Sequence, residues 1–565
     1  MLRLRKEPQY RLNKERKFTK VNYSVLNTDA LIIGTGLSGL MAARSLTKKL
    51  PDAKILMIGN GLGASPYVHG FNMMLHKDDS MESFYEDTFL GGREQSKPEL
   101  AKALCDGSVE LRPILEELGI EFNKKNGEYS LLRPLGATHP RVASVGNHTG
   151  VAIMNAIRDE FAKNENITSL KDTRALRLLR IDGRVCGALT YQINENKYTL
   201  VVANAVVLAC GGFCNIYPFS TNMSDIGGDG IAMSFGVGAE LCDLEFVQFE
   251  PSAAVAPAPI RGKSVITTMY YEGAVLRNIL GDRFMLQYGE AGECVNKDVQ
   301  SRYIFKEIKE GRGTENGGVF FDCRGVGRDR LNEQYDSYVK RYSDVGIDIA
   351  TTPFEIAPAP HTSLGGISVD ENCFSGIEGL YACGEIIGGL HGANRLGGNA
   401  GLETMVFGRI AGESVANYLA NAEKADVTED DAEDFVEDTF TLSGEDAVTS
   451  EQLAAIRAKM EKILSEKLNV LRTGSELAEA VEEVGDLLEE LDNSSMEGVS
   501  EELAFATLRL INDLQTTYLL AMSAYTREES CGCHVRTDND EECEEKYRVV
   551  VQNTPDGLVV FKDYI

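Results

Sequence analysis

Residues 28–43 read TDALIIGTGLSGLMAA, an apolar strand ending at Ile33, a glycine-rich turn and a helix beginning near Ser38. Gly34, Gly36 and Gly39 set the spacing G-x-G-x-x-G across that junction. The first glycine permits the tight turn, the second lets the backbone approach a pyrophosphate, and the third lets the helix pack close to the strand. The amides at the helix N-terminus favour a negative charge. A second apolar strand, KILMIG, follows at 54–59, which completes one β-α-β unit. This start commits the chain to a dinucleotide-binding parallel sheet. The acid that commonly ends the second strand and holds a ribose is missing. Gly59 and Asn60 stand there, leaving Asn60 as a side chain able to hydrogen-bond a hydroxyl.

Further along, strands around 175–210 end in AVVLACGG, and mixed short elements fill 246–354, including a helix over RYIFKEIKEG. A glycine-rich block at 361–411 leads into the helix GLETMVFGRIAGESVANYLA. Residues 422–440 are acidic with few apolar positions and read as a linker. From 448 to 526 apolar residues recur at i, i+3, i+4 with glutamate-rich opposite faces, as in LAEAVEEVGDLLEEL, the pattern of an antiparallel helical bundle. The last twenty residues read as a short β-rich tail.

The net charge of −29 sets the surface against a phosphate backbone, so nucleic acid is not an expected partner. An anion can still bind in a locally positive pocket. No apolar run approaches the ~18 residues of a membrane-spanning helix. The basic start MLRLRKEPQYRLNKERKF has no apolar stretch behind it and carries two glutamates. It reads as a surface extension rather than a leader, with a cytoplasmic location and free thiols expected. None of the 12 cysteines falls in a C-x-x-C pair, so no metal site is expected. Cys531, Cys533 and Cys543 cluster in one segment, expected near the surface, where a redox, metal or docking role is open.

Several longer blocks carry a resemblance. GLYACGEIIGGLHGANRLGGNAGLETMVFGRIAG at 379–412, ACGGFCNIYPFSTN followed by GGDGIAM at 209–233, FVQFEPS, GDRFM and HTSLGG resemble the succinate dehydrogenase/fumarate reductase flavoprotein family. RTGSEL at 472–477 and TREESCGCHVRTD at 526–538 resemble the helical-domain motifs of its membrane-complex members and of L-aspartate oxidase. The resemblance spans roughly residues 28–540. It implies an α/β protein with a Rossmann-type FAD-binding domain, an inserted α+β capping domain and a C-terminal helical bundle. The expected divisions are 1–27 N-terminal extension, 28–245 and 355–421 FAD-binding domain, 246–354 capping and substrate domain, 422–447 acidic linker, 448–545 helical domain and 546–565 tail. By the same resemblance Gly34, Gly36, Gly39, Gly211, Gly212, Asp229 and Glu385 line the FAD, with Asn399 and Ala400 opening a helix toward the flavin. Membrane-complex members attach FAD through a histidine. Here the corresponding stretch is GASPYVHGFNMML, so FAD is expected to be non-covalent, with His69 the one candidate attachment point.

The resemblance breaks in the substrate site. His361, Ser363 and Arg395 stand where the family clamps carboxylates, and a guanidinium can hold a carboxylate through two parallel bonds. Tyr270 stands where the resemblance puts a proton-donating arginine, and Glu250 replaces a substrate-facing histidine. A bare carboxylate at 250 repels a dicarboxylate such as fumarate. The expected reaction is therefore hydride transfer between the flavin N5 and an activated C=C of a carboxylate other than fumarate. Glu250 binds its neutral, hydroxylated or cationic second end, and Tyr270 or Tyr271 is the acid. Two alternatives stay open: a catalytically altered electron-transfer flavoprotein subunit of a larger redox complex, and an amino-acid oxidase similar to L-aspartate oxidase. The resemblance also implies an iron–sulfur or other electron-transfer protein as partner.

Overall fold

The structure, a computed structural model, describes residues 21–134, 136–146, 148–539 and 543–565. Residues 1–20 of the expected N-terminal extension lie outside the described residues. The strand Tyr23–Ile33 starts five residues earlier than expected and pairs in parallel with Ile55–Gly59 on one side and Lys197–Leu208 on the other. The sheet runs in the order Ile167–Lys171, Ile55–Gly59, Tyr23–Ile33, Lys197–Leu208, Arg184–Gln192, Thr173–Ile181, and Leu380–Ala382 also joins Lys197–Leu208. The central strands carry unbroken apolar runs, ALII, ILMI and AVVL, because both of their faces are covered. Helix Leu37–Lys49 crosses the long helix Asn399–Leu419 at close range. A Cβ at Gly408 or Gly412 would fall 2.5 Å or 2.1 Å from the carbonyl oxygens of Ser38 and Ala42. The helix that follows the glycine-rich block thus packs directly on the helix of the first β-α-β unit.

Between the two parts of this domain, Val247–Ala254 and Phe354–Ser363 pair antiparallel and extend into a four-stranded sheet with Val319–Asp322 and Val275–Arg277. That sheet has its own core, including Met269, Leu276, Phe284, Phe321 and Phe354. Helix Lys297–Glu307 lies along it.

The C-terminal helices are Ser450–Glu466, Gly474–Asp492 and Glu501–Thr526. The middle one buries Leu477, Ala480, Val484, Leu487 and Leu491, the stripe read from the sequence. The acidic segment before them is not a bare linker. Thr428 and Asp431 form a capping box that starts helix Glu429–Thr439. Ala432, Val436 and Phe440 recur every four residues and are buried against strand residues such as Leu176, Leu200 and Tyr198. A stripe one residue wide suffices to dock a helix on a sheet, and the surrounding acids mask it in the composition. The tail forms a hairpin, Tyr547–Thr554 with Gly557–Tyr564, whose first strand pairs with Leu241–Cys242. Among the described residues no helix is long and apolar enough to cross a membrane.

Candidate active site

A cleft of about 1030 Å³ opens where the central strands end, lined by Gly34, Gly36, Ser65, Gly211, Glu385 and Ala400 among others. The glycines are enforced by close approach. At Gly34 φ is +128° and a Cβ would stand 2.0 Å from the Ala209 carbonyl oxygen. A Cβ at Gly39 would stand 2.1 Å from the Gly34 carbonyl oxygen. Gly36 and Gly398, which precede the two helices at the cleft, offer no side chain to cap them. The Leu37 amide donates to Ser65 Oγ (2.8 Å), while the first turn otherwise faces open space. An elongated cleft with a glycine turn and helix N-termini at its wall fits a dinucleotide bearing a pyrophosphate.

Several expected cofactor residues also carry contacts within the protein; Asn60 and Asp229 both line the cleft. Asn60 borders the cleft, but its carbonyl oxygen accepts from Arg174 Nε and Nη2 at 3.1 Å and 3.2 Å. Arg174 Nη1 in turn donates to Asp229 Oδ2 at 2.8 Å, and Asn512 Nδ2 donates to Asp229 Oδ1 at 2.9 Å. Asn60 and Asp229 therefore hold an arginine in the cleft wall and tie it to the helical domain. Asn399 is buried behind the wall. Its side chain accepts from Asn72 Nδ2 (2.7 Å) and donates to Thr88 Oγ1 (3.2 Å), and its amide goes to the Leu396 carbonyl. Ala400 is the residue of that turn that lines the cleft. Ser363 belongs to the cofactor side as well: its amide donates to Glu385 Oε1 at 3.1 Å. A Cβ at Gly212 would fall 2.1 Å from Ser363 Oγ and 2.5 Å from Glu385 Oε1. Burial pushes the Glu385 carboxyl up to about 7. His69 is exposed, and its neighbours Ser65 and Val68 line the cleft.

The substrate side is built on the strand pair that enters the capping sheet. Gln248 pairs with Thr362 and Phe249 with Pro360, so His361 is the extra residue of a β-bulge. Bulges re-aim side chains, and this one turns His361 out of the ladder. Its Nδ1 meets Thr221 Oγ1 at 2.8 Å. Burial pulls its pKa down to about 4, so the ring is neutral at pH 7. Arg395 Nη2 donates to Gln248 Oε1 at 3.0 Å, and Gln248 Nε2 donates to Asn394 Oδ1 at 3.1 Å. Arg395 Nε is buried without a hydrogen-bond partner. Glu250 Oε2 accepts from Lys297 Nζ at 2.5 Å. Arg395, Glu250 and Lys297 all stand close enough for their charges to act on His361.

Two expectations for this pocket change. Glu250 is a paired carboxylate, not a bare one. Tyr270 donates to or accepts from Ser252 Oγ at 3.0 Å and stacks on Phe321 with ring centroids 4.9 Å apart. Burial in the capping core raises its hydroxyl well above the ordinary tyrosine range, which makes it a poor acid. Tyr271 is 58% exposed. Lys297, which the sequence reading missed, is the cation that reaches Glu250. Nothing in its surroundings, VNKDVQSR, marks it in one dimension. Gln248, Thr221 and the buried pair His391 Nε2–Glu403 Oε2 (2.9 Å) stand inside the blocks that carry the resemblance, but only the fold shows what they touch.

The thiol segment is buried, not superficial. Cys531 and Cys533 pack with Phe246, Leu364 and Ala393, and Cys543 packs against them. Among the described residues no group of three or more His, Cys, Asp or Glu is arranged to hold a metal ion.

A glycine-walled cleft fit for a dinucleotide, with a buried arginine and histidine on the strands and loop beside it, is the site of an FAD-dependent oxidoreductase. The FAD binding domain family matches residues 29–400, and the fumarate reductase flavoprotein C-terminal family matches 457–556. The chain belongs to the fumarate reductase/succinate dehydrogenase flavoprotein family and binds FAD. It is 34% identical over 538 residues to a subunit of the fumarate reductase (CoM/CoB) of Methanothermobacter marburgensis, covering 93% of this chain and 97% of that one. It is 30% identical to L-aspartate oxidase 2 of Ralstonia nicotianae, covering 91% and 92%. Its fold matches Escherichia coli quinol fumarate reductase FrdA carrying E245Q, with TM-score 0.85, 26% identity and coverage of 96% and 97%. Mycobacterium smegmatis Sdh1 matches with TM-score 0.87, 26% identity and coverage of 96% and 95%.

Proposed function

We propose that the chain reduces, or in reverse forms, an activated carbon–carbon double bond in a substrate with a single carboxylate, not fumarate. FAD, when bound, supplies the hydride chemistry. One observation carries the substrate class. Lys297 and Glu250 neutralise each other at 2.5 Å, and His361 is neutral at pH 7, so Arg395 remains the unmatched cation of the pocket. Its Nη2, fixed on Gln248, orients the guanidinium to receive one carboxylate. A second carboxylate would find no further unmatched cation among these residues. Lys297 holds the proton for the carbon next to the reduced one, in place of Tyr270. The FAD is held non-covalently, a reading that the exposure of His69 supports. An electron-transfer protein, iron–sulfur or otherwise, delivers or collects the electrons.

The test is anaerobic reoxidation of dithionite-reduced flavoprotein by a monocarboxylate enoate and by fumarate. Faster reoxidation by the monocarboxylate supports the reading, and faster reoxidation by fumarate overturns it. Amino-acid oxidation is the second reading, favoured because Glu250 already holds an ammonium group, that of Lys297. Peroxide formed with an amino acid, and no reoxidation by any enoate, would select it.

A further inference from the structure

The segment behind the Arg395 loop carries a pair of thiols in contact. The Cys543 amide donates to the Ser530 carbonyl oxygen at 3.2 Å, which sets residues 531 and 543 side by side. Cys543 packs against the apolar cluster that holds Cys531. Both are reduced in the structure. The two differ in the way a reactive pair must. Cys531 is buried in an apolar pocket with Phe246, Leu364 and Ala393, whereas Cys543 is half-buried at its rim. Gln95 Nε2 donates to Cys543 Sγ at 2.9 Å, a bond that stabilises a thiolate there. As a thiol, Cys543 donates to the Glu545 carbonyl at 3.3 Å. The interaction with Cys531 draws the Cys543 pKa below the ordinary thiol value, and the interaction with Cys543, with burial, raises that of Cys531.

We propose that Cys543 and Cys531 are a thiol–disulfide exchange site for a low-molecular-weight disulfide, with Cys543 as the attacking thiol and Cys531 as the resolving one. The Cys543 thiolate attacks one sulfur of the disulfide, breaks its S–S bond and expels one thiolate, leaving a mixed disulfide on Cys543. The Cys531 thiol, losing its proton, attacks Cys543 Sγ and expels the second thiolate. One S–S bond has formed in the protein and one has broken in the reagent. The two cysteines are oxidised by two electrons, and the reagent leaves as two thiols. Cys533 takes no part. Its amide donates to the Ala393 carbonyl at 2.9 Å, so the exchange site sits against the loop that carries Arg395.

The probe is glutathione disulfide applied to the flavin-loaded protein. Trypsin cuts after Arg527, Arg536 and Lys546, which puts Cys531 in the peptide 528–536 and Cys543 in 537–546. The expected result is a peptide pair linked through Cys543 and reversed by dithiothreitol, with titratable thiols in denaturant falling by two. Cys531→Ser is expected to trap glutathione on Cys543, Cys543→Ser to abolish the reaction, and Cys533→Ser to leave it intact. Because peptide 528–536 holds two cysteines, the Cys533→Ser variant also fixes which one is linked. Absence of the linked pair, linkage through Cys533, or glutathione trapped on the exposed Cys294 instead of Cys543 would overturn the proposal. None of these readouts depends on the substrate.

Discussion

Lys297 Nζ lies 2.5 Å from Glu250 Oε2, joining the first residue of helix Lys297–Glu307 to a strand that leads to the flavin cleft. A helix N-terminus does not favour a cation. Glu250 is therefore what holds Lys297 in place, and the two residues form a proton-carrying pair of zero net charge beside His361.

Lys297→Met is expected to lower the rate of the chemical step by about 100- to 10,000-fold, the usual contribution of a positioned acid. FAD content should not change. The single variant leaves Glu250 buried without its partner, so the double variant Glu250→Gln/Lys297→Met serves as the folding control, expected to be stable and equally slow. Single-turnover reoxidation of reduced flavin is the measurement. A rate within threefold of wild type in the double variant would move the acid elsewhere.

Arg395→Gln removes the unmatched cation. Truncating a desolvated charge contact costs about 2–5 kcal/mol, a loss of about 30- to 5,000-fold in kcat/KM. Arg395→Lys is expected to recover only part of it, because an ammonium cannot reproduce two parallel bonds to a carboxylate. Competition by saturated carboxylates, read as inhibition constants, separates binding from chemistry.

Gly212→Ala tests the crowding at the flavin cleft. The added Cβ would meet Ser363 Oγ at 2.1 Å and Glu385 Oε1 at 2.5 Å, so both side chains must shift. Overpacking of this kind costs about 1–3 kcal/mol, which corresponds to FAD binding weaker by about 5- to 150-fold. Fluorescence titration of the cofactor-free protein with FAD measures it, and unchanged affinity would mean that Glu385 does not set the cleft wall.

Glu385 ties stability to pH. Burial raises its carboxyl from 4.5 to about 7. A carboxyl that binds its proton more tightly folded than unfolded adds stability below the lower value and loses that contribution as pH rises through the upper one. The loss is about 3 kcal/mol at most. His361 acts in the opposite sense, because its pKa falls from 6.5 to about 4: its contribution is present above pH 6.5 and is lost on acidification. Glu385→Gln removes only the first effect. Denaturation midpoints of the cofactor-free variant should gain on wild type between pH 4.5 and 7.5. Parallel curves would show that Glu385 does not titrate there.

The sequence by itself determined the first β-α-β unit, the FAD cleft and the family. Those depend on residues near one another in the chain, and on glycines whose small size is the whole of their function. It also carried His361 and Arg395, which stand in long family blocks. What it could not show were the partners of side chains that lie far along the chain. Asn60 and Asp229 meet Arg174, and Asn512 comes from a helix 283 residues beyond Asp229. Glu250 looked like a repulsive charge until Lys297 was brought to it from 47 residues away. Tyr270 looked like an acid by its place in a motif, and packing in the capping core made it a buried hydroxyl. Residue identity fixes which charges a chain owns. Only the tertiary structure decides which of them are paired, buried and left over, because Coulomb interaction and desolvation depend on distance in space and not along the chain.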